Sequence, residues 1–419
     1  MIGSRRRIGF VIPSEAARRP ERSGRNAAVG SRERLRSRAI VLLLALIFGA
    51  GIGPAAGQQT TAEIDSTASY PWRLSYFPYV TAEPNDGVMA MGRVVWFQQS
   101  RWNARTSVDR QVAIEGGYST RDMWLLRLRA DMPHLATGWR AQVIAQADRE
   151  TYSRADAGFT GMSTFVRAHR SFGSVEITRR IAGPVAIAAR GEVVRVSAPD
   201  EGDEVTSAGS ASDSRIRVGV VADLRDREYD TERGALLQGG MLGGSAAGGY
   251  HGFYLLGAFW IPATSSMVIT GRGGYRVVSG SDGVPVDAWR TIPAWEDEIV
   301  AGGGFESNRA LPTGDLTGSK VTLGTAEIRQ RIATFPGGGL SVLGFVDGSR
   351  TPPLGVTLTQ VGIPGQVAAL RTSGGALEDW VVGAGGGIAL RLLRSAVLTA
   401  TVGRAQHATR FYLQSGWSW

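Results

Sequence analysis

Cysteine is missing from the 419-residue sequence, which excludes disulfides, thiolate nucleophiles and thiolate metal sites. Histidine is nearly as scarce. His134, His169, His251 and His407 are scattered, without the spacing of a zinc site or a histidine-based triad. Lysine occurs once, at Lys320, so arginine carries almost all the positive charge. Beyond one run near the N-terminus there is no apolar stretch of about 20 residues, which removes a bundle of membrane helices. The glycine-rich runs at 234–252 and 374–387 have neither Gly-x-Gly-x-x-Gly opening a helix nor Gly-x-x-x-x-Gly-Lys-Ser/Thr. They read as loops or packed glycines, and no cofactor is implied.

The formal charge is +9, which suggests a nucleic-acid binder until the charge is located. Eleven arginines and three glutamates between Met1 and Arg38 account for +8 of it, leaving +1 for everything after. No nucleic-acid partner is therefore expected. After this basic stretch comes an apolar core from Ala39 to about Ile52, then Pro54, with Ala55 and Gly57 before a cleavage at about Gln58. The alternative is a single membrane anchor; the small-residue site favours removal. Residues 1–57 read as a basic leader plus signal peptide, 58–69 as a short disordered periplasmic segment, and 70–419 as the folded domain.

That domain has almost no helical periodicity. Short runs alternate with period two between clusters of Gly, Asp, Asn, Pro and Ser, as strands do when side chains point to opposite faces. In residues 123–130 Trp124, Leu126, Leu128 and Ala130 oppose Leu125, Arg127 and Arg129. In 138–148 Trp139, Ala141, Val143, Ala145 and Ala147 oppose Arg140, Gln142, Ile144, Gln146 and Asp148. Further strands are expected at Val88–Phe97, Val108–Gly116, Ser174–Arg180, Val185–Val196, Arg215–Leu224, Gly252–Ile261, Met267–Val278, Val321–Ile332, Leu340–Asp347 and Thr357–Val361. Three more close the chain, within residues 385–394, 395–404 and 410–419. The acidic, small-residue stretch Ser197–Asp213 reads as an outer loop.

A soluble β-sandwich would alternate in the same way, but it would bury one face of each sheet and exclude the arginines that recur on the polar face. A wide barrel directs those charges into a wet lumen and the apolar partners into lipid. Aromatics near run ends (Trp72, Trp96, Trp102, Trp124, Trp139, Trp417, Trp419, Tyr76, Tyr79, Tyr412) suit the two interfacial girdles of such a barrel. In lipid every backbone polar group needs a partner, so the sheet must close on itself. At ~20–24 residues per strand with its connection, the domain fits roughly 16 strands. The expected fold is an all-β transmembrane antiparallel barrel with a loop folded into the lumen, in the outer membrane. On the strand holding Glu327, Arg329 and Arg331, the three charges share one face, opposite Ala326, Ile328 and Ile332, and should look inward.

The last residues, RFYLQSGWSW, resemble the C-terminal strand by which bacterial outer-membrane barrels are recognised for assembly, with Phe411, Leu413, Trp417 and Trp419 at alternate positions. A more specific resemblance lies in AGGGFESNRALPTGDLTGSKVTLGTAEIRQRI followed by GLSVLGFVDGSR. It is similar to the Omp85 superfamily of bacterial surface antigens, the BamA/TamA-like proteins. There a long loop returns into the lumen with an Arg-Gly-aromatic tip, followed by Glu-x-Arg and Phe-x-Asp strands. Gly304 and Phe305 match the Gly-aromatic pair, Ser307, Asn308 and Arg309 the polar continuation, Glu327 and Arg329 the Glu-x-Arg pattern, and Phe345 and Asp347 the next. The family arginine is replaced by Gly303, so Asp347 lacks its usual partner, and Arg309 is the candidate substitute.

The resemblance implies an assembly role, in inserting or translocating protein or lipid. The implied partners are outer-membrane lipid, lipopolysaccharide phosphate at an arginine-lined rim, and the barrel-assembly machinery. Between the cleavage site and Tyr70 there is no room for the periplasmic POTRA domains that active family members carry, which implies a barrel-only member and a separate periplasmic partner protein. A passive low-conductance porin is the alternative. A membrane acyl hydrolase has no support in the spacing of serine and histidine, and no enzyme activity is expected.

Overall fold

The computed structural model describes residues 70–419 except 102–103, 155–163, 199–208, 281–285, 296, 317, 352–379, 393–395, 406–407 and 418–419. The expected leader and signal peptide at 1–57, the expected 58–69 segment, Trp102, Thr357–Val361 and Trp419 lie outside the described residues.

The chain forms strands β1 (Trp72–Glu83), β2 (Gly87–Gln99), β3 (Val108–Ser119), β4 (Trp124–Ala136), β5 (Trp139–Arg154), β6 (Thr164–Ala182), β7 (Val185–Ala198), β8 (Gly209–Asp223) and β9 (Gly234–Gly244). There follow β10 (Tyr250–Pro262), β11 (Met267–Gly280), helix α1 (Val286–Arg290), β12 (Thr291–Ala294) and β13 (Asp297–Val300). The set ends with β14 (Lys320–Phe335), β15 (Gly338–Arg350), β16 (Val381–Leu392), β17 (Ala396–Ala405) and β18 (Ala408–Ser415). All but β12 and β13 join in one closed antiparallel ring of sixteen strands, each beside its sequence neighbours, with β18 returning to β1.

Period-two alternation explains the ring. On β8, Ile216, Val218 and Val220 face outward and exposed while Asp213, Arg217 and Val221 are buried inward. On β14, Ile328 and Ile332 are exposed while Glu327 and Arg329 are buried, because charges on the lipid face would cost several kcal/mol. A bulge between Arg331 and Ala333 leaves Ile332 unpaired and still outward. The apolar belt is thus on the outside, and the polar core is the lumen.

Short turns such as 137–138, 183–184 and 336–337 gather at one end, and the strand ends that flank residues 155–163, 199–208, 281–319 and 351–380 at the other. In outer-membrane barrels these are the periplasmic and outer ends, respectively. Trp72 and Trp96 lie outside near the periplasmic end with ring centroids 4.7 Å apart, and Arg179 sits 4.9 Å over the Trp139 ring. These belong to a girdle. Tyr79 and Tyr412 do not. They fall on the opposite parity from Tyr76 and Phe411, so they point into the lumen, where the Tyr79 hydroxyl donates to Glu115.

One stretch read as a loop is partly strand, and in one of the glycine-rich runs the packed-glycine alternative holds. β7 continues through Ala198 and β8 starts at Gly209, which narrows the outer loop expected at Ser197–Asp213. In the glycine-rich run 234–252, residues 234–244 form β9, whose glycines let Tyr250 and Tyr254 lie flat against the wall.

Candidate functional site

The connection between β11 and β14 folds back into the ring. Its hairpin β12–β13 packs Ile292, Ile299 and Ala301 on the inner wall residues Tyr254, Leu256, Val321 and Leu323. Arg276 on β11 fixes its root: fully buried, it donates to the carbonyls of Ala288, Trp289 and Gly318, two of them at the C-terminal end of α1, where a cation is favoured.

Beyond the hairpin, residues 301–316 make the tip. Gly303 and Gly304 have φ of +124° and +111°, a region closed to most side chains. The turn they allow is tied by Leu316 N–H to Gly302 O at 2.7 Å and Gly303 N–H to Ser307 Oγ at 3.0 Å. Asn308 caps its own turn through Oδ1 and donates Nδ2 to Val381 O on β16 at 2.8 Å. Phe305 is buried, its ring 6.5 Å from that of Tyr412.

Arg309 is the centre of the site. Its Nε donates to Asp347 Oδ2 at 2.8 Å, Nη2 to Oδ1 at 2.9 Å, and its backbone N–H to Oδ2 at 3.0 Å. Nη1 donates to Glu327, and the guanidinium lies 3.4 Å over the centre of the Phe345 ring. Arg309 is 1% exposed and Asp347 0%, so the fork-to-carboxylate geometry operates almost without water. Burial by itself would lower the Arg309 pKa; the Asp347 and Glu327 carboxylates outweigh it and raise the value above the ordinary one. The departure at Gly303 therefore leaves Asp347 with a partner supplied from six residues further on. Glu327 also accepts from Arg329 Nε at 2.6 Å, which spreads the charge along β14. Arg331 lies further down that strand and pairs with Glu232 in the β8–β9 turn.

Close approach to the wall requires that the wall be bare. A Cβ on Gly403 would stand 2.4 Å from Arg309 O, and one on Gly383 2.2 Å from Ala310 Cβ. The tip then reaches the junction of β18 and β1. Tyr412 donates to Leu311 O, Thr313 Oγ1 to Glu83 Oε2 at 2.9 Å, and Asn85 Nδ2 to Thr313 O at 2.9 Å. Gln414 donates to Glu83 across the junction itself.

Of the terminal residues, Phe411 is exposed on the lipid face and Leu413 pairs across the junction with Ala82. Trp417 departs from the alternation. Gly416, at φ +101°, turns the backbone, and the indole packs inside against Leu343, Phe345, Ala389 and Val397, with the Arg329 guanidinium 4.3 Å over it. Arg276, Tyr412, Thr313 and the bare glycines are site residues that strand parity alone does not single out; Tyr412 and Gly403 carried a signal in their inward parity.

No protein-family model and no curated protein matches the sequence. Among solved structures, the chain is similar to BamA from Haemophilus ducreyi lacking POTRA domains 1–3, at 12% identity with a TM-score of 0.52, covering 82% of this chain and 70% of that one. It is also similar to CdiB from Escherichia coli, at 10% identity and a TM-score of 0.53, covering 82% of this chain and 62% of that one. It thus spans less than two thirds of the length of that CdiB. The ring, its apolar outside and this likeness define a multi-pass β-barrel of the outer membrane. Within that class the fold is similar to that of BamA and CdiB.

Proposed function

We propose that this barrel acts in outer-membrane assembly or maintenance, letting protein or lipid pass between lumen and bilayer at the β1–β18 junction. One observation carries the reading. Among the described residues β1 and β18 share a single register pair, Ala82 with Leu413, whereas β17 and β18 pair without a break from Leu398 and Ser415 to Ala405 and Ala408. Among the described residues, most of the facing edge of β1, from Trp72 to Thr81, has no register partner on β18 and can take another strand, which a sheet edge in lipid favours strongly.

The lumenal tip supports the same reading, since it braces Glu83 on one side of the junction and Tyr412 on the other. The work is positional, with no catalytic group assigned. Its partners in this proposal are outer-membrane lipid, lipopolysaccharide phosphate, a periplasmic partner protein, and the assembly machinery that reads Phe411 and Leu413 during biogenesis.

Liposomes containing the protein should take up an unfolded outer-membrane barrel faster than empty liposomes. A disulfide between Ala82→Cys and Leu413→Cys should remove the gain, and reduction should restore it. Ion conduction without any gain in client insertion would overturn the proposal in favour of a passive pore.

A further inference from the structure

The β8–β9 connection, residues 224–233, carries the sequence LRDREYDTER and would ordinarily be a solvated periplasmic turn. In this molecule it lies across the mouth of the ring. Asp230 pairs with Arg391 on β16 and Glu232 with Arg331 on β14. In the other direction Glu228 Oε2 meets Arg140 Nη1 on β5 at 2.9 Å, and Glu228 N–H donates to Arg105 O in the β2–β3 turn at 2.8 Å. In the order of the ring β16 is five strands from β9, and β3 five strands from β8, so the turn is tied on both sides to walls far from its own strands.

It is also stiff within itself. The Asp226 carboxylate accepts from the backbone N–H groups of Arg227, Glu232 and Arg233, and Thr231 Oγ1 donates to Arg227 O at 2.8 Å. The neck is narrow, closed by Leu224 N–H to Ala235 O and Asp226 N–H to Arg233 O, with Gly234 at φ +118° beside it. A rigid loop on a narrow neck moves as one body.

Above it lies a lumenal chamber of about 360 Å³, walled by Leu256, Ala258, Trp260 and Trp417 and roofed by Trp295 of the inserted loop. Arg225 of the turn and Arg140 of β5 both lie over the Trp295 ring, at 5.9 and 4.9 Å. The loop from the outer side and the turn from the periplasmic side therefore meet at one indole.

We infer that the 224–233 turn is a gate on the periplasmic mouth, hinged at its neck and latched by ion pairs to β5, β14 and β16. Closed, it shuts the chamber and covers Trp417 from below; a solute or an extended peptide segment enters from the periplasm only when the latch is released. The latch pairs are partly hydrated, with Arg331 and Glu232 30% and 35% exposed, so salt or a charged segment competes for them. This inference does not depend on client insertion at the β1–β18 junction.

The absence of cysteine makes the test clean. Asp230→Cys with Arg391→Cys, joined by a short cleavable bismaleimide, should give a barrel with unchanged heat-modifiable gel mobility and low conductance in planar bilayers. Cleaving the linker should raise the conductance several-fold, since both charges of that latch pair are gone. The variant Glu228→Gln, Asp230→Asn, Glu232→Gln should show the same rise without any linker. Equal conductance before and after cleavage, or failure of the linker to join the two positions in the folded barrel, would overturn the gate.

Discussion

The two segments that enter this barrel are held by different physics. The inserted loop on the outer side hangs on Arg309, Glu327 and Asp347, all at most 2% exposed, with bare glycines behind them. The periplasmic closure hangs on pairs such as Arg331–Glu232 and Arg391–Asp230, in which water reaches at least one partner. Buried charges cannot separate without leaving one another uncompensated, so that contact behaves as fixed structure. Hydrated pairs are each worth ~0–1 kcal/mol and are screened by salt, so several of them together make a contact that can let go. The molecule is built to hold one plug and to release the other.

Three single substitutions and one charge exchange test the contrast. Arg309→Ala should have the largest effect, about 3–5 kcal/mol, because Glu327 and Asp347 are left buried without a cation. The temperature at which the fast-migrating folded band disappears from gels would report it. Exchanging the charges, Arg309→Asp with Asp347→Arg, should recover only part of that loss, since Glu327 then faces a second carboxylate; full recovery would show that Asp347 is the only partner that matters.

Gly403→Val comes next, at about 1–3 kcal/mol, because a side chain there meets the Arg309 backbone and pushes the tip away from the wall. Faster proteolytic cutting after Arg309 in the folded barrel is the expected sign. Glu232→Gln should be smallest, within about 1 kcal/mol, and its effect on folded-band stability should vanish at 1 M salt. A Glu232→Gln effect as large as that of Arg309→Ala would erase the distinction between the two segments.

Strand parity made much of this legible in the sequence. Glu327, Arg329 and Arg331 on one face of β14, opposite Ala326 and Ile328, already required a wet interior, and Gly304 and Phe305 matched the tip of a loop that returns into the lumen. The likeness that placed Asp347 opposite a missing arginine pointed to Arg309. Parity fails where the backbone leaves the strand. Trp417 continues the apolar series of Phe411 and Leu413 in the sequence, but the positive φ of Gly416 turns it inward, and nothing in a run of letters marks that angle. The 224–233 turn was hidden for another reason. Its charges look like those of any solvated loop, and their partners on β5, β14 and β16 are brought near only by closure of the ring.

Lys320 is exposed at the start of β14, where the inserted loop rejoins the wall. With no second lysine in the chain, an amine-directed dye attaches there and at the N-terminus alone. An unmutated sample thus carries its own reporter beside the root of the outer plug, and emission from that dye that stays constant while the periplasmic latch is opened with salt would show that the plug holds its place.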